Sequence, residues 1–383
     1  MKLDAVTLSQ KLIRIPSYSG VNVEVLEFLG NYLKNLGFSC DYLDYEGSNS
    51  YKVNNLHAVF NPKNSTKVIY FAGHTDVVNE GNKASWKHDP FAAEIIDGKL
   101  FGRGAADMKC AIACFVTAVE DFLAQNKSPD FGIGFLITND EEADGVNGTA
   151  KVLEWMKENN KTITHCLVGE PTNPTKFGEM VKIGRRGSIG FKVKITGKQG
   201  HVAYPDIALN PITILVNLLK ILKDHKLDDG TKFFDPSNLE VTSIQSQNLG
   251  ANVIPNEAEA AFNVRFNDTH TSQSIIDLVE YACKKTVGFG AKYELNYRTS
   301  GESFLSDPKF LAPIVVAATK KVTGLTPVLS TTGGTSDARF IRNYAEVVEI
   351  GLINETAHKI DEFSRISEIE QLDRTYLEIL KNF

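Results

Sequence analysis

Four times in this chain a short apolar run ends on residues that can do chemistry. Val68 to Ala72 leads into Gly73-His74-Thr75-Asp76, and Phe131 to Thr138 leads into Asn139-Asp140-Glu141-Glu142. Cys166 to Val168 leads into Gly169-Glu170, and Val347 to Leu352 precedes a loop carrying His358. Runs that are apolar at successive positions suit strands buried on both faces of a parallel or mixed sheet. Helical patterns lie between them, at Met108 to Gln125 and Thr149 to Asn159. Such alternation predicts an α/β fold, a mixed sheet with helices on both faces, whose ligands bind beyond the carboxyl ends of the strands. The polar clusters stand where that rule puts a site.

The middle of the chain has another rhythm. Phe191 to Thr196 alternates like a strand, and Asn210-Pro211 opens an apolar-periodic helix running to about Asp224. Leu239 to Gln245 and Ala258 to Phe266 read as strands, Ser272 to Lys285 as a helix, and Lys292 to Arg298 as a last strand. The order β-α-β-β-α-β is that of a ferredoxin-like α+β unit. The expected organisation is therefore a first domain in two pieces, residues 1–183 and 299–383, with residues 184–298 inserted between them. Asp307-Pro308 is expected to start the helix that returns the chain to the first domain, with Asp as N-cap and Pro in the first turn.

A chain of 383 residues is too long for one ordinary core, in keeping with two domains. The net charge of -6 argues against a nucleic-acid binder, which presents a basic surface. The five cysteines are scattered, with no CxxC pair, so a disulfide framework is not expected and a reducing, cytoplasmic setting is. The amino-terminal stretch reads as an amphipathic helix interrupted by Pro16, without the apolar core of a signal peptide. No run of about 18 apolar residues exists to span a membrane.

The candidate metal ligands are His74, Asp107, Glu142, Glu170 and His358. Imidazoles mixed with carboxylates, without thiolates, suit a catalytic zinc site better than a structural one. Five ligands are too many for one open catalytic zinc and suit two metals sharing a bridging carboxylate. Each residue alone has a plainer reading: Asp107 as a helix cap, His74 as a turn residue, Glu170 as a loop charge.

The strings themselves say more. The chain carries G-H-T-D-V-V at 73–78, G-R-G-A-A-D-M-K at 102–109, T-N-D-E-E at 138–142 and G-E-P-T at 169–172. It continues with G-R-R-G-S at 184–188, Q-G-H-V-A-Y-P at 199–205, N-V-I-P at 252–255, G-G-T-S-D-A-R-F at 333–340 and A-H-K-I-D-E at 357–362. In this order and spacing they resemble the M20 family of zinc deacylases and exopeptidases, from the first helix to the last segment. The resemblance implies a zinc-exopeptidase-like catalytic domain with an inserted dimerisation (lid) domain, and a homodimer. It implies two Zn2+ per subunit, with Co2+ able to substitute, and makes Asp107 the bridging carboxylate. His74 and Glu170 would complete one metal site, Glu142 and His358 the other. Asp76 would orient His74, since residues two apart in an extended segment point the same way. Glu141 would be the general base that takes a proton from the attacking water. His201 would reach the oxyanion from the neighbouring subunit, with Asn252 near the same oxyanion.

The more particular strings, G-R-R-G-S, G-H-V-A-Y-P and T-G-G-T-S-D, resemble the branch of the family that removes a succinyl group from a diamino dicarboxylic acid. Carboxylate recognition favours arginine, whose planar fork binds bidentately. Arg185 and Arg265 are the candidates, with Ser188 and Tyr204 as hydrogen-bonding partners. Gly333, Gly334 and Thr335 form a turn that would let backbone amides approach a substrate carboxylate. Cys110, Ala338 and the stretch Asp144-Gly145-Val146 depart from the family pattern and leave fine preference open. The alternative readings are another member of the family, such as an acetylornithine deacetylase or a dipeptidase, and, from another class, a metal-binding scaffold without catalysis.

Overall fold

The computed structural model describes every residue except 1, 22, 48–50, 144, 247–249 and 289, so Asp144 of the departing stretch lies outside the described residues. The chain forms two compact units: Met1–Ile183 with Ser306–Ser330 and Ser336–Phe383, and Gly184–Leu305 with Thr331–Thr335.

The first unit is built on an eight-stranded mixed sheet. From edge to edge its strands are Ser39–Tyr45, Val53–Phe60, Gly132–Thr138, Val68–His74, His165–Val168, Glu346–Glu349, Met180–Lys182 and Val328–Ser330. The four from Gly132–Thr138 to Glu346–Glu349 run parallel. Val68–His74 and Gly132–Thr138 are buried at every position, which is why these two runs are largely apolar until their last residues, His74 and Thr138. Alternation along Val68–His74 sends its neighbours to opposite faces. Phe71 stacks on Phe115 of the Lys109–Gln125 helix, with ring centroids 4.7 Å apart. Tyr70, on the other face, meets His57, whose ring lies 5.3 Å from Trp155 of the Thr149–Glu158 helix. Helices thus cover both faces. Lys109–Gln125 in turn lies against Ala5–Ile13 and Ile366–Asn382. Cys110 and Cys114 point into this core and are free thiols.

One expected helix start is wrong. The helix begins at Leu311, not at Asp307-Pro308, and its N-cap position is Phe310. Asp307 instead accepts from the ammonium of Lys309 at 2.7 Å. The free N–H of Leu311 is met by the carboxylate of Glu346, at 2.7 Å, from the start of a sheet strand. A carboxylate at a helix amino terminus satisfies an orphan donor and opposes the dipole, so the tertiary partner displaces the local cap.

The second unit is an antiparallel sheet of four strands in the order Asn238–Ser246, Glu257–Phe266, Gly187–Thr196, Lys292–Gly301. Pro211–Asp224, capped by Asn210, and Ser272–Thr286, closed by a Thr271–Ser274 capping box, are its helices. With chain order β-α-β-β-α-β, this strand order is ferredoxin-like. Its core alternates as a one-sided sheet must: Ile189, Phe191, Val193 and Ile195 face Leu215, Leu218, Ile275 and Val279 of the helices. The unit extends past residue 298. Its last long strand runs to Gly301, and Phe304–Leu305 pairs with Gly184–Arg185, so one ladder ties both of its ends. Among the described residues no helix is long and apolar enough to cross a membrane.

Candidate metal centre

The first unit gathers its reactive residues by aligning strand ends. His74 closes its strand opposite Thr138, and Val168 pairs with Ala72 and Glu349. The segments that follow, Asn139–Glu142 and Gly169–Glu170, therefore leave the sheet beside His74. Gly351 makes the Glu170 turn possible, because a Cβ there would stand 2.3 Å from the Glu170 carbonyl oxygen. Asp107 precedes the buried Lys109–Gln125 helix, and His358 lies on the loop after Glu346–Glu349, at φ 63°.

Two triads result, sharing Asp107. Ligand atoms of His74, Asp107 and Glu170 lie within 4.8 Å of one another, as do those of Asp107, Glu142 and His358. His74 Nε2 is 3.0 Å from Asp107 Oδ1 and 3.9 Å from Glu170 Oε1. His358 Nε2 is 3.2 Å from Asp107 Oδ2 and 2.9 Å from Glu142 Oε1. All five residues named from the sequence thus meet. His74 Nδ1 donates to a carbonyl, which can only accept, so Nε2 is the nitrogen turned to the carboxylates.

That carbonyl is the backbone oxygen of Asp76, 2.9 Å from Nδ1, whereas the nearer Asp76 carboxylate oxygen is 3.6 Å away. The carboxylate is engaged elsewhere. It accepts from the N–H groups of Glu141 and Glu142 at 3.0–3.2 Å and from Ser19 Oγ at 2.8 Å. Spacing of two in the extended segment after the strand end therefore placed Asp76 beside His74, but the main chain orients the ring and the side chain pins the Glu141–Glu142 turn.

The charges couple strongly. Burial alone would depress His74, yet Asp107, Asp76 and Glu170 hold its imidazole well above the ordinary value. Hydrogen bonds to Asp107 and Glu142 push His358 up to about 10. Asp107 is held below the ordinary carboxylate range by His358 and His74 against the cost of burial. Each proton on these imidazoles neutralises carboxylates packed around it, the part a divalent cation plays when it replaces them. Donors of this kind, converging in two groups on one shared carboxylate and without thiolate, fit two divalent cations.

Glu141 stands outside both triads. Burial pushes its carboxyl up to about 8; His74 opposes the shift, and Asp337, Glu142 and Asp107 add to it. Asp337, in the G-G-T-S-D string but given no role from sequence, is buried and accepts from Thr149 Oγ1 at 2.6 Å. Lys109 was also passed over: it is fully buried and donates to the carbonyls of Leu12 and Ile15 at 3.0 and 2.8 Å, pinning the end of the first helix. So were Arg103 and Glu362, a buried ion pair at 2.7 Å.

The remaining candidates lie in the second unit. Arg185 and Ser188 are buried, on the paired Gly184–Arg185 segment and the Gly187–Thr196 strand. Arg185 Nη1 donates to the Gly334 carbonyl at 3.1 Å, so the Gly333–Thr335 turn is held to Arg185 by its oxygen. Ser188 Oγ accepts from Asn263 at 3.4 Å, a partner not expected from sequence. Arg265, opposite Ser188 in the ladder, has a buried Nη1 with no hydrogen-bond partner among the described residues. Burial, then the charge of Arg186, lowers its pKa. His201 and Tyr204 are exposed, their rings 5.7 Å apart. The two-residue strand holding His201 pairs with Val253–Ile254, and the Asn252 carbonyl accepts from Val202 at 3.1 Å.

The sequence pattern of peptidase family M20/M25/M40 matches residues 70–382. A succinyl-diaminopimelate desuccinylase from Pelagibacter ubique is 47% identical over 379 residues, which cover 99% of this chain and 98% of that one. Aminopeptidase PepT from Bacillus cereus superposes with a TM-score of 0.80 at 20% identity, covering 98% of this chain and 97% of that one. The YXEP protein of Bacillus subtilis, described as a dinuclear metal binding peptidase from the M20 family, superposes with a TM-score of 0.70 at 15% identity, covering 98% and 96%.

Proposed function

As the chain belongs to peptidase family M20/M25/M40, we propose that it hydrolyses N-succinyl-LL-2,6-diaminopimelate to succinate and LL-2,6-diaminopimelate, a step toward diaminopimelate and lysine. The observation that carries this is the 47% identity, end to end, with a relative of that activity. The double triad supplies the chemistry. In this reading the cations are zinc, with cobalt able to substitute, and when bound they polarise the amide carbonyl and bring the pKa of a bound water to about 7. His74, Asp107 and Glu170 hold one, and Asp107, Glu142 and His358 the other.

Glu141 takes a proton from the attacking water and returns it to the leaving amine. Burial raises the Glu141 carboxyl in the metal-free chain, so it binds a proton more tightly than a solvated one does, and the charge of the cations would draw it back toward the ionised form that a base needs near neutral pH. Asp76 holds the Glu141 backbone so that the neighbouring carboxylates keep separate tasks. The substrate carries three carboxylates, and the donors for them are the buried Arg185 and the Nη1 of Arg265, which has no hydrogen-bond partner among the described residues. Ser188, Tyr204 and the Gly333–Thr335 turn complete that recognition. His201, exposed and free to meet a second copy of the chain, stabilises the oxyanion from the partner subunit of a homodimer, with Asn252 assisting. The protein works in the cytoplasm.

The test is a panel of N-succinyl-LL-2,6-diaminopimelate, N-acetylornithine and a dipeptide, run on the zinc-loaded protein and on Glu141→Gln. The succinyl substrate is expected to turn over fastest, and Glu141→Gln to lose about 100- to 10,000-fold in kcat. Faster turnover of either competitor would overturn the substrate assignment. Equal inertness of both proteins would leave a metal-binding scaffold.

A further inference from the structure

Arg103 and Glu362 are 259 residues apart in sequence and meet in the interior, 2% and 0% exposed. One oxygen of Glu362 accepts from Arg103 Nη1 at 2.7 Å. The other accepts from the backbone N–H groups of Ala106 and Asp107, at 2.8 and 3.2 Å. Arg103 Nη1 also donates to the carbonyl of Lys359, the residue after His358, at 3.2 Å. The two segments are stitched on either side of this pair: Gly102 N–H donates to the Glu362 carbonyl at 2.9 Å, and Ser364 Oγ to the Ala105 carbonyl at 2.9 Å. The Trp86 ring covers the guanidinium, 5.2 Å from its centroid, and is itself fixed by Nε1–H to the Glu80 carbonyl at 2.9 Å.

A fully desolvated ion pair is a poor way to stabilise a fold, because the loss of hydration offsets the attraction. Its worth here is geometric. One carboxylate grips the main chain of the shared ligand Asp107, and its guanidinium partner grips the main chain next to His358. His358 needs such support, since it sits at φ 63°, a left-handed conformation that a non-glycine residue keeps only where its surroundings impose it. We propose that Arg103 and Glu362 form a positioning clamp that fixes Asp107 and His358 relative to each other, and so sets how tightly the cluster holds its divalent cations. The clamp rests on the metal-centre reading above, and touches neither substrate nor reacting atoms.

The experiment is a titration of metal-free protein with Co2+, followed by the ligand-field absorption of the bound ion, alongside thermal unfolding of the metal-free state. Two variants are compared with wild type. Glu362→Gln keeps the shape and removes the charge. The double variant Arg103→Met with Glu362→Leu leaves no lone buried charge behind. Folded variants are expected to bind Co2+ about 10- to 100-fold more weakly, as is usual when residues behind metal ligands are lost, with an altered absorption spectrum. Wild-type affinity and spectrum in either folded variant would overturn the clamp while leaving the metal centre standing. Failure of both variants to fold even in excess Co2+ would also overturn it, making the pair an element of the fold alone. Absence of Co2+ binding by the wild type would instead bring down the metal-centre reading itself.

Discussion

The two triads share Asp107 and the same kinds of donor, yet they are built differently. His74 and Glu170 sit at the ends of central parallel strands and are 1% and 9% exposed, so the sheet itself places them. The other triad needs His358, whose side chain is 51% exposed and whose partner Glu142 comes from 216 residues earlier. One half of the cluster is inherited from the layer architecture, and the other is completed by a loop closing over it. The half on the sheet is preorganised and costly to disturb. The half on the loop depends on what holds the loop.

The largest expected effect comes from His74→Ala. It leaves Asp107, Asp76 and Glu170 crowded without their buried counter-charge, and breaking such a group costs about 3–5 kcal/mol. Denaturant unfolding of the metal-free protein checks this, and metal analysis after dialysis should find at least one equivalent lost. His358→Ala should be milder. An exposed partner contributes about 1 kcal/mol or less to metal-free stability, so the variant should unfold nearly as the wild type does while retaining a single tightly bound metal. If the two variants lose equal stability, the contrast between sheet and loop is broken.

The smallest effect is in pH dependence. His358 is raised from 6.5 to about 10 by Asp107 and Glu142. A group that binds its proton more tightly when folded contributes stability that is full below its unfolded pKa and is lost as pH rises through its folded one. The metal-free protein should therefore lose stability between about pH 6.5 and 10, with His74 contributing in the same direction. Part of that slope should vanish in His358→Ala, by no more than about 1 kcal/mol given the exposure of the side chain. Metal binding has the opposite sign and should strengthen as pH rises, because the cation displaces those protons. Unfolding curves at several pH values, with and without Zn2+, separate the two trends.

The legible parts of this molecule are those in which neighbours in sequence are also neighbours in space. Strands buried on both faces are largely apolar, so Val68–His74 and Gly132–Thr138 could be read directly, along with the reactive residues at and beyond their ends. The alternating strands and capped helices of the second unit were legible for the same reason. Reading failed where a distant residue took over a local task. Asp307-Pro308 looks like a helix start, but Glu346 across the fold caps Leu311. Asp76 looks like the carboxylate behind His74, but its carbonyl does that work. Arg103 and Glu362 stood in quoted motifs with no visible purpose, because their partners are on opposite ends of the chain.

By itself, then, the sequence determined the layer architecture, the second unit's strand order in outline and the five candidate ligands. Periodicity and residue chemistry are local properties and carry the first two, while the five candidates rest also on the order and spacing of the family's motifs. Only the tertiary structure decided that one triad is buried and the other half open, and that a buried ion pair joins their supports. Those are facts about which atoms approach across hundreds of residues. Burial, and with it the strength of every charge in the site, does not exist until the chain has folded around them.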